Sequence, residues 1–181
     1  MGDSRPHRPV LLIMAAFSRH EEAFVWTREH VEAGFGPIAL CSDPMPFAET
    51  RFYEPSMGGD LLKILLACEQ LIDPARLPQI KLQTNGWEAA YRQQSDWSEQ
   101  RPLNVDPGYL TEAKLVLAST KDRDHRIYLD LGIYAEVTLY YQRRGWQAHA
   151  WTYPDYRSSA YHQFFTRCRD YLRQRYRELP T

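Results

Sequence analysis

A continuous apolar run, VLLIMAAF, occupies Val10–Phe17 near the start of the chain. Such a run lacks the alternation of a half-exposed strand and is typical of a strand buried in the centre of a sheet. A helix is predicted next, because Phe24, Val31 and Phe35 recur at helical spacing and Gly36 follows them as a stop signal. The chain therefore opens with a central strand and an amphipathic helix.

Later segments continue to alternate between strand and helix signals. Strands are predicted at Ile38–Cys41, Leu61–Ile72, Ala113–Ser119, Ile127–Tyr141 and Trp146–Thr152, with a hairpin turn at Asp130–Gly132. A second helix begins at Asp73–Pro74, which combines an N-cap residue with a proline at the first helical position. The last helix follows Ser158 or Ser159 and carries an apolar stripe that includes Phe165 and Leu172.

This order of elements predicts an α+β protein with a ferredoxin-like βαββαβ core, to which a β-hairpin and a C-terminal helix are added. A mixed α/β sheet of another topology is the alternative. With 181 residues the chain suits one domain, which we assign to residues 9–181 after a disordered tail at residues 1–8. The residues expected in its interior are Leu11, Ile13, Phe24, Val31, Leu115, Leu117, Val137, Leu139, Phe165 and Leu172.

Charge and cysteine content exclude several classes of function. The net charge of −1 gives no global attraction to nucleic acid or to an anionic membrane. The three cysteines are widely spaced and form no CxxC motif, so neither a disulfide framework nor a thiolate zinc site is indicated. We therefore expect a cytoplasmic protein without a membrane partner, and nucleic acid is a less favoured partner that only a local basic patch would bind.

The segment Ser42–Gly59 is a long connection that contains prolines and ends in two glycines. Connections of this length are uncommon in compact domains and often serve as lids or binding loops. We expect it to form a wall of a binding pocket and to exchange its amide hydrogens faster than the strands beside it.

Candidate functional residues are densest in Asn104–Tyr156, where strands and tight turns carry charged side chains. Within it, Ile133, Ala135, Val137 and Leu139 alternate with Tyr134, Glu136, Thr138 and Tyr140. The polar face is either a solvated surface on which Glu136 pairs with a nearby Lys or Arg, or the floor of a site in which Glu136 is a general base. We expect Glu136 and His125 to face one concavity, because a hairpin at Asp130–Gly132 folds their segments together.

The loop Lys121–Arg126, KDRDHR, favours an anion site over a metal site. Lys121, His125 and Arg126 of this loop, together with Lys114, would bind a phosphate or carboxylate, with Arg126 in bidentate contact. A metal would need the two aspartates and the histidine of this loop as well as Glu136, but the adjacent cations oppose it and the spacing matches no ligand motif. No P-loop or GxGxxG motif specifies a nucleotide or another cofactor.

Two further carboxylates complete the candidate set. Asp106–Pro107–Gly108 has the composition of a turn, and Asp155 follows Tyr153–Pro154 just before the last helix. If both segments fold to the same sheet edge, Asp106, Glu136 and Asp155 form a cluster whose members shift one another's pKa values.

Nine short stretches carry a family resemblance. They are FGPI at Phe35–Ile38, YEPSMG at Tyr53–Gly58, LIDP at Leu71–Pro74, IKLQTN at Ile80–Asn85, NVDPGY at Asn104–Tyr109, KLVLASTKD at Lys114–Asp122, HRIYL at His125–Leu129, GIYAEVTL at Gly132–Leu139 and WTYPDY at Trp151–Tyr156. In these stretches the chain resembles a bacterial family of similar length, domain-of-unknown-function family 4416. The resemblance implies a single intact domain in a cytoplasmic setting, and it assigns no catalytic residue or ligand.

The leading hypothesis is a small enzyme or ligand-binding domain that acts on a small anionic molecule. The catalytic candidates are Glu136, His125 and Asp106, and the ligand-binding candidates are Lys114, Lys121, Arg126, Tyr134, Thr138 and Asp155. No metal ion or cofactor is assigned. The alternative is a non-enzymatic interaction or regulatory protein that docks a protein or RNA partner through aromatic side chains such as Phe47, Phe52, Tyr53 and Trp151.

Overall fold

The computed structural model describes residue 3 and residues 6–47 and 53–179. Its strands are β1 Val10–Ser18, β2 Ile38–Cys41, β3 Met45–Pro46, β4 Leu62–Ile72, β5 Asn104–Leu110, β6 Lys114–Ser119, β7 Ile127–Asp130, β8 Ile133–Gln142 and β9 Gly145–Ala148. Its α-helices are α1 Glu21–Phe35, α2 Glu54–Met57, α3 Leu77–Gln94 and α4 Ser159–Glu178, and two 3-10 turns cover Pro74–Arg76 and Pro154–Arg157. The chain is thus an α+β protein, as predicted.

One antiparallel sheet contains all of these strands. Its order is β2-β4-β1-β5-β6-β8-β7, with β3 added to β4 and β9 added to β8. Every residue of β1 is buried, and the strand pairs with β4 on one side and with β5 on the other. The apolar run at the start of the sequence therefore has the expected cause, because the strand is central and its side chains are covered on both faces.

Helices cover the two faces of the sheet and create two apolar layers. On one face, Leu12 of β1 packs in a cluster with Val31 of α1 and Ile80 of α3. On the other face, Leu11 packs in a cluster with Phe165 of α4. The alternation of side chains along a strand thus divides β1 between the two layers.

A β-bulge in β8 modifies the predicted interior. Of the ten residues expected to be buried, all are buried except Val137, which is partly buried. Leu115 pairs with Leu139 and Val116 pairs with Val137, so the alternation of β8 changes face between these pairs. The strict alternation predicted beyond Val137 is therefore wrong. Glu136 pairs with Leu117, which belongs to the α4 layer, so Glu136 points to that covered side of the sheet.

Asp106–Pro107–Gly108 is not a turn, contrary to the sequence expectation, but the middle of β5. All of β5 pairs with β1, whereas only Gly108–Leu110 pairs with β6. Pro107 lies outside the β6 pairing, where its missing N–H deprives no strand of a hydrogen bond. Gly108 lies against the backbone of β6, since a Cβ atom there would be 2.2 Å from the carbonyl oxygen of Val116.

β5 and β6 consequently separate on the N-terminal side of Gly108 in β5 and leave a gap inside the sheet. Two side chains of α3 satisfy the backbone of β5 in this gap. The N–H of Val105 donates to Oε1 of Glu88 at 2.8 Å, and Nζ of Lys81 donates to the carbonyl oxygen of Val105 at 3.2 Å. These bonds replace the strand pairing that β6 does not provide.

The predicted loop Ser42–Gly59 contains regular structure in its described part. β3 pairs with β4, and α2 forms a single helical turn. Phe47 and Met57 are buried and pack in a cluster with Phe17. Residues 48–52, which include Phe52 of the predicted docking set, lie outside the described residues. The faster amide exchange expected for this segment stays a prediction.

Candidate functional site

A cavity of about 740 Å³ opens where β5 and β6 separate. Leu117 from the α4 layer and Ala118 from the layer beside α3 both line it, so the cavity reaches both faces of the sheet. Its cationic lining residues are Lys63, Lys81, Arg101, Lys121, Arg123 and Arg126, and its carboxylates are Asp106, Glu136 and Asp155. The volume lies in the range of pockets that bind small molecules.

The structure brings together most of the residues selected from the sequence. The cavity is lined by Asp106, Lys121, Arg126, Glu136 and Asp155. His125 and Thr138 lie behind it, in contact with Glu136. Lys114 and Tyr134 lie elsewhere: Lys114 is at the opposite end of β6 from the cavity, and Tyr134 packs edge-on against Tyr128. The three predicted carboxylates therefore share one cavity, although Asp106 reaches it from a strand.

Glu136 is held by three neighbouring side chains. Its Oε2 accepts a hydrogen bond from Nε of Arg126 at 2.8 Å and lies 3.2 Å from Nε2 of His125. Its Oε1 accepts a hydrogen bond from the hydroxyl of Thr138 at 3.3 Å. The side chain of Glu136 is 2% exposed and that of Arg126 is 5% exposed. Glu136 thus fixes the position of Arg126 in the cavity wall and has little contact with the cavity itself.

Arg126 uses most of its donors within the protein. Nη1 donates to Oγ of Ser119 at 2.7 Å and to the carbonyl oxygen of Lys121 at 2.9 Å, and Nη2 donates to the hydroxyl of Tyr153 at 3.1 Å. With the bond to Glu136, these contacts leave one of the five guanidinium N–H groups for a ligand. A ligand contact through Arg126 would therefore be single, not bidentate. Burial opposes the charge of Arg126, but the bond to Glu136 outweighs it and raises the pKa of the guanidinium.

Asp106 is the most accessible carboxylate of the cavity. Its side chain is 33% exposed, against 2% for Glu136 and 4% for Asp155. Oδ1 accepts a hydrogen bond from Nζ of Lys81 at 2.9 Å, and Oδ2 accepts one from Nδ2 of Asn104 at 2.8 Å. Burial disfavours the ionised form, but Lys81 and Asn104 outweigh it and lower the pKa of Asp106. Asp106 is therefore an ionised carboxylate that is open to the cavity.

Lys63 forms a second, more enclosed ion pair. Its Nζ donates to Oδ2 of Asp155 at 2.5 Å, and the two side chains are 5% and 4% exposed. The same ammonium lies 4.0 Å from the ring centroid of Phe47, 4.9 Å from that of Phe17 and 5.2 Å from that of Tyr156. A carboxylate and aromatic faces both stabilise a cation, so the surroundings of Lys63 favour a positive charge at this place. Burial, followed by the charge of Asp155, raises the pKa of the Tyr156 phenol well above its ordinary value.

Comparison with known proteins places the chain in a family. A family model described as Domain of unknown function (DUF4416) matches residues 8–171. The chain belongs to the DUF4416 family. No curated protein and no solved structure matches it significantly. Every residue that lines the cavity lies within the matched range, so the whole cavity is part of the DUF4416 domain.

Sequence reasoning missed Lys63 and Lys81 in this DUF4416 domain, and it assigned Tyr53 to partner docking instead of to the cavity. A signal for the lysines was present in the composition, because the chain has 18 arginines but only four lysines, at positions 63, 81, 114 and 121. Three of the four line one cavity. Tyr53 follows residues 48–52 and lines the same cavity, where burial and then the charge of Asp106 raise the pKa of its phenol to about 12.

Two further properties of the DUF4416 domain concern metals and membranes. Among the described residues, no three His, Cys, Asp or Glu side chains lie close enough together to hold a metal ion. Asp124, which the metal alternative required, is 98% exposed at its side chain. In the same part of the chain, every helix is too short or too polar to cross a lipid bilayer.

Proposed function

We propose that the protein binds a small anionic molecule in the cavity between β5 and β6, and that Asp106 supplies an acid–base group there. The supporting observation is the concentration of charge, because six cationic side chains and three carboxylates of the described residues line one cavity of about 740 Å³. The excess of positive charge favours an anion, and the partly apolar walls strengthen electrostatic attraction by lowering the local dielectric constant.

The buried ion pairs support a binding role, because stability alone accounts for them poorly. The side chains of Lys63–Asp155 and Arg126–Glu136 are at most 5% exposed. The desolvation of such a pair often exceeds its Coulombic gain, so well-packed apolar residues would stabilise the fold equally well or better. Clusters of charged groups in a cleft are typical of functional sites.

The cavity would orient its ligand by charge. Arg123 and Lys121 are exposed at the rim, and Arg123 forms no ion pair within the described part of the chain. The anionic group of the ligand would contact these two residues. The remainder of the molecule would then meet Asp106 and Lys81 at the floor, so the proposed ligand has an anionic end and a polar or reactive end.

The fold and the location of the protein belong to the same proposal. We infer that β1, α1, β2, β4, α3 and β5 form a ferredoxin-like core, to which the β7–β8 hairpin and α4 are additions. The strand order β2-β4-β1-β5 and the packing of α1 and α3 on one face support this inference. A cytoplasmic location is supported by the three free cysteines.

The alternative function, docking of a protein or RNA partner through aromatic residues, has weaker support. Phe47 is buried, and both Phe47 and Tyr53 line the cavity. Trp151 is 41% exposed, but its indole stacks on His125 and His149 and donates a hydrogen bond to the carbonyl oxygen of Val137. Phe47 and Tyr53 thus belong to the wall of the cavity, and Trp151 lies outside it and is engaged by its own neighbours. The described members of the set therefore form no common aromatic patch.

Thermal shift assays and calorimetry with inorganic phosphate, glycerol phosphate and malonate test the proposal. A ligand that binds only the folded state stabilises it by about 2.7 kcal/mol when its concentration is about 100 times Kd. Arg123→Gln is expected to remove most of the shift. Arg143→Gln, at an exposed position in the β8–β9 turn, is expected to retain it. Equal losses in the two variants, or no shift with any of these anions, would refute anion binding in this cavity.

A further inference from the structure

We propose that Lys81 is an amine nucleophile that captures the carbonyl carbon of an anionic ligand as an imine. This inference rests on the proposed anion-binding function and specifies the ligand class. The ligand would be a small carboxylate or phosphate that also carries an aldehyde or ketone carbon.

The distribution of lysine is the first support. The chain contains 18 arginines and four lysines, so nearly all of its cationic side chains are guanidinium groups. Yet Lys63, Lys81 and Lys121 all line one cavity. Arginine supplies the same charge and more hydrogen bonds, but it does not lose its proton in proteins, whereas lysine serves as a base and forms Schiff bases. The use of lysine at this place therefore points to amine chemistry and not to charge alone.

The surroundings of the two buried lysines distinguish Lys81 as the nucleophile. The Lys63 ammonium is enclosed by Asp155 and three aromatic rings, all of which stabilise its charged form. Among the described residues no ring lies over the ammonium of Lys81, whose partners are the carbonyl oxygen of Val105 and the carboxylate of Asp106. Both lysines pair with a carboxylate, but Asp155 beside Lys63 is enclosed, whereas Asp106 beside Lys81 is open to the cavity.

Asp106 is placed to accept and return the proton of Lys81. Its Oδ1 lies 2.9 Å from Nζ of Lys81, and Asn104 holds the other carboxylate oxygen at 2.8 Å. The Asp106 side chain is 33% exposed, so this pair borders the open part of the cavity. A carbonyl carbon that approaches Lys81 would therefore also approach Asp106.

The reaction balances without any additional reactant. Asp106 takes one proton from the Lys81 ammonium, and the neutral amine attacks the carbonyl carbon to form a carbinolamine. In this step the C–N bond forms, the C=O π bond breaks, and one nitrogen proton moves to the oxygen. Asp106 then returns its proton to the hydroxyl group, water departs, and a protonated C=N bond remains. The ammonium charge is conserved as the iminium charge.

Reductive trapping in the wild-type protein tests this assignment. The protein is incubated with pyruvate or dihydroxyacetone phosphate, reduced with sodium borohydride, and mapped by peptide mass spectrometry. We expect one secondary-amine adduct per chain, at Lys81. Lys114 is the internal control, because it is less buried than Lys81 and lies outside the cavity. No adduct, an adduct first at Lys63 or Lys121, or equal labelling of Lys114 would overturn the proposal.

Two variants and two further ligands separate this inference from anion binding itself. Lys81→Arg should lose the adduct and Lys114→Arg should keep it; if Lys81→Arg does not fold, the wild-type peptide map alone decides. Lactate and glycerol phosphate carry the anion without the carbonyl, and their binding is measured by calorimetry. Binding of both without any trapped adduct from pyruvate or dihydroxyacetone phosphate overturns imine formation and leaves anion binding intact. Absence of binding by all four compounds overturns both proposals.

Discussion

Nε of Arg126 lies 2.8 Å from Oε2 of Glu136, and the two side chains have almost no contact with solvent. Glu136→Gln would leave the guanidinium of Arg126 charged and buried without its counterion. Breaking a buried pair by removal of one partner costs about 3–5 kcal/mol, so we expect a loss of that size in the free energy of unfolding. Urea titration followed by circular dichroism measures it.

An exposed ion pair provides the matched control for this substitution. Glu112 lies 3.3 Å from Arg173, and the two side chains are 43% and 45% exposed. Solvent-exposed pairs contribute about 0–1 kcal/mol, so Glu112→Gln is expected to change stability little. If both glutamine variants lost the same free energy, the burial of Glu136 would have no energetic consequence.

Asp106 makes the stability of the folded protein depend on pH in the acidic range. Burial opposes its ionisation, but Lys81 and Asn104 outweigh it, so the folded pKa lies below the ordinary value of 3.8. The unfolded chain then binds the proton more tightly than the folded protein does. The stability contributed by Asp106 is therefore complete above the unfolded pKa and is lost as the pH falls through the folded pKa.

Urea titrations of the wild type and Asp106→Asn at a series of acidic pH values measure this contribution. The difference in unfolding free energy between the two proteins should be constant well above pH 3.8 and should shrink as the pH falls below it. A difference that stays the same across the acidic range would contradict a lowered pKa for this carboxyl.

Substitution of three glycines by alanine tests the backbone conformation and packing of the elements that contain them. Around both Gly86 in α3 and Gly132 in the β7–β8 turn, an added Cβ would meet no atom within 4 Å. Gly86→Ala should nevertheless stabilise the protein by about 0.5–1 kcal/mol, because alanine loses less backbone entropy in a helix. Gly132→Ala should destabilise it by about 1–2 kcal/mol, because Gly132 has a φ of +76°. Chemical unfolding of both variants tests the opposite signs.

Gly108→Ala is expected to be the most damaging of the three changes. The new Cβ would lie 2.2 Å from a backbone oxygen of β6, which cannot move without disturbing the strand pairing. The folded fraction at ambient temperature, measured by near-UV circular dichroism, should fall sharply. A Gly108→Ala protein as stable as Gly86→Ala would contradict the close approach of β5 and β6.

Local periodicity predicted the elements whose pattern is decided by near neighbours. The stripe of α4 and the β7–β8 hairpin lie close to their predicted bounds. Asp106–Pro107–Gly108 was misread because its composition is that of a turn, whereas its actual conformation depends on pairing with β1, about ninety residues earlier in the chain. The bulge in β8 was missed because it is set by the register with β6.

The sequence predicted the candidate site most directly where its residues are close in sequence, whereas Asp106 and Asp155 joined Glu136 only on the condition that their segments reach one sheet edge. Glu136, Arg126 and His125 lie within one hairpin and the loop before it, so a local argument brought them together. Lys63 and Lys81 come from β4 and α3, and they reach the cavity only because β5 and β6 separate. No local pattern encodes that separation.

The two apolar layers predict how core mutations combine across the whole molecule. Ile80 packs beside α1 on one face and Phe165 packs in α4 on the other. Ile80→Val should cost about 0.5–1.5 kcal/mol and Phe165→Ala about 3–5 kcal/mol. Because the sheet separates the two positions, the double variant should lose their sum within about 0.5 kcal/mol. A larger deviation in urea titrations would show that the layers are coupled.

The short pairing between β5 and β6 also has a mechanical consequence. Three residue pairs join these strands, whereas six join β6 to β8. The sheet therefore has two parts, β2-β4-β1-β5 and β6-β8-β7, which are joined only by the short pairing of β5 with β6. A pulling force applied across the sheet would separate β5 from β6 first. A molecule that contacted both Asp106 in β5 and Lys121 after β6 would bridge the two parts of the sheet. Single-molecule pulling would register this bridge as a higher rupture force.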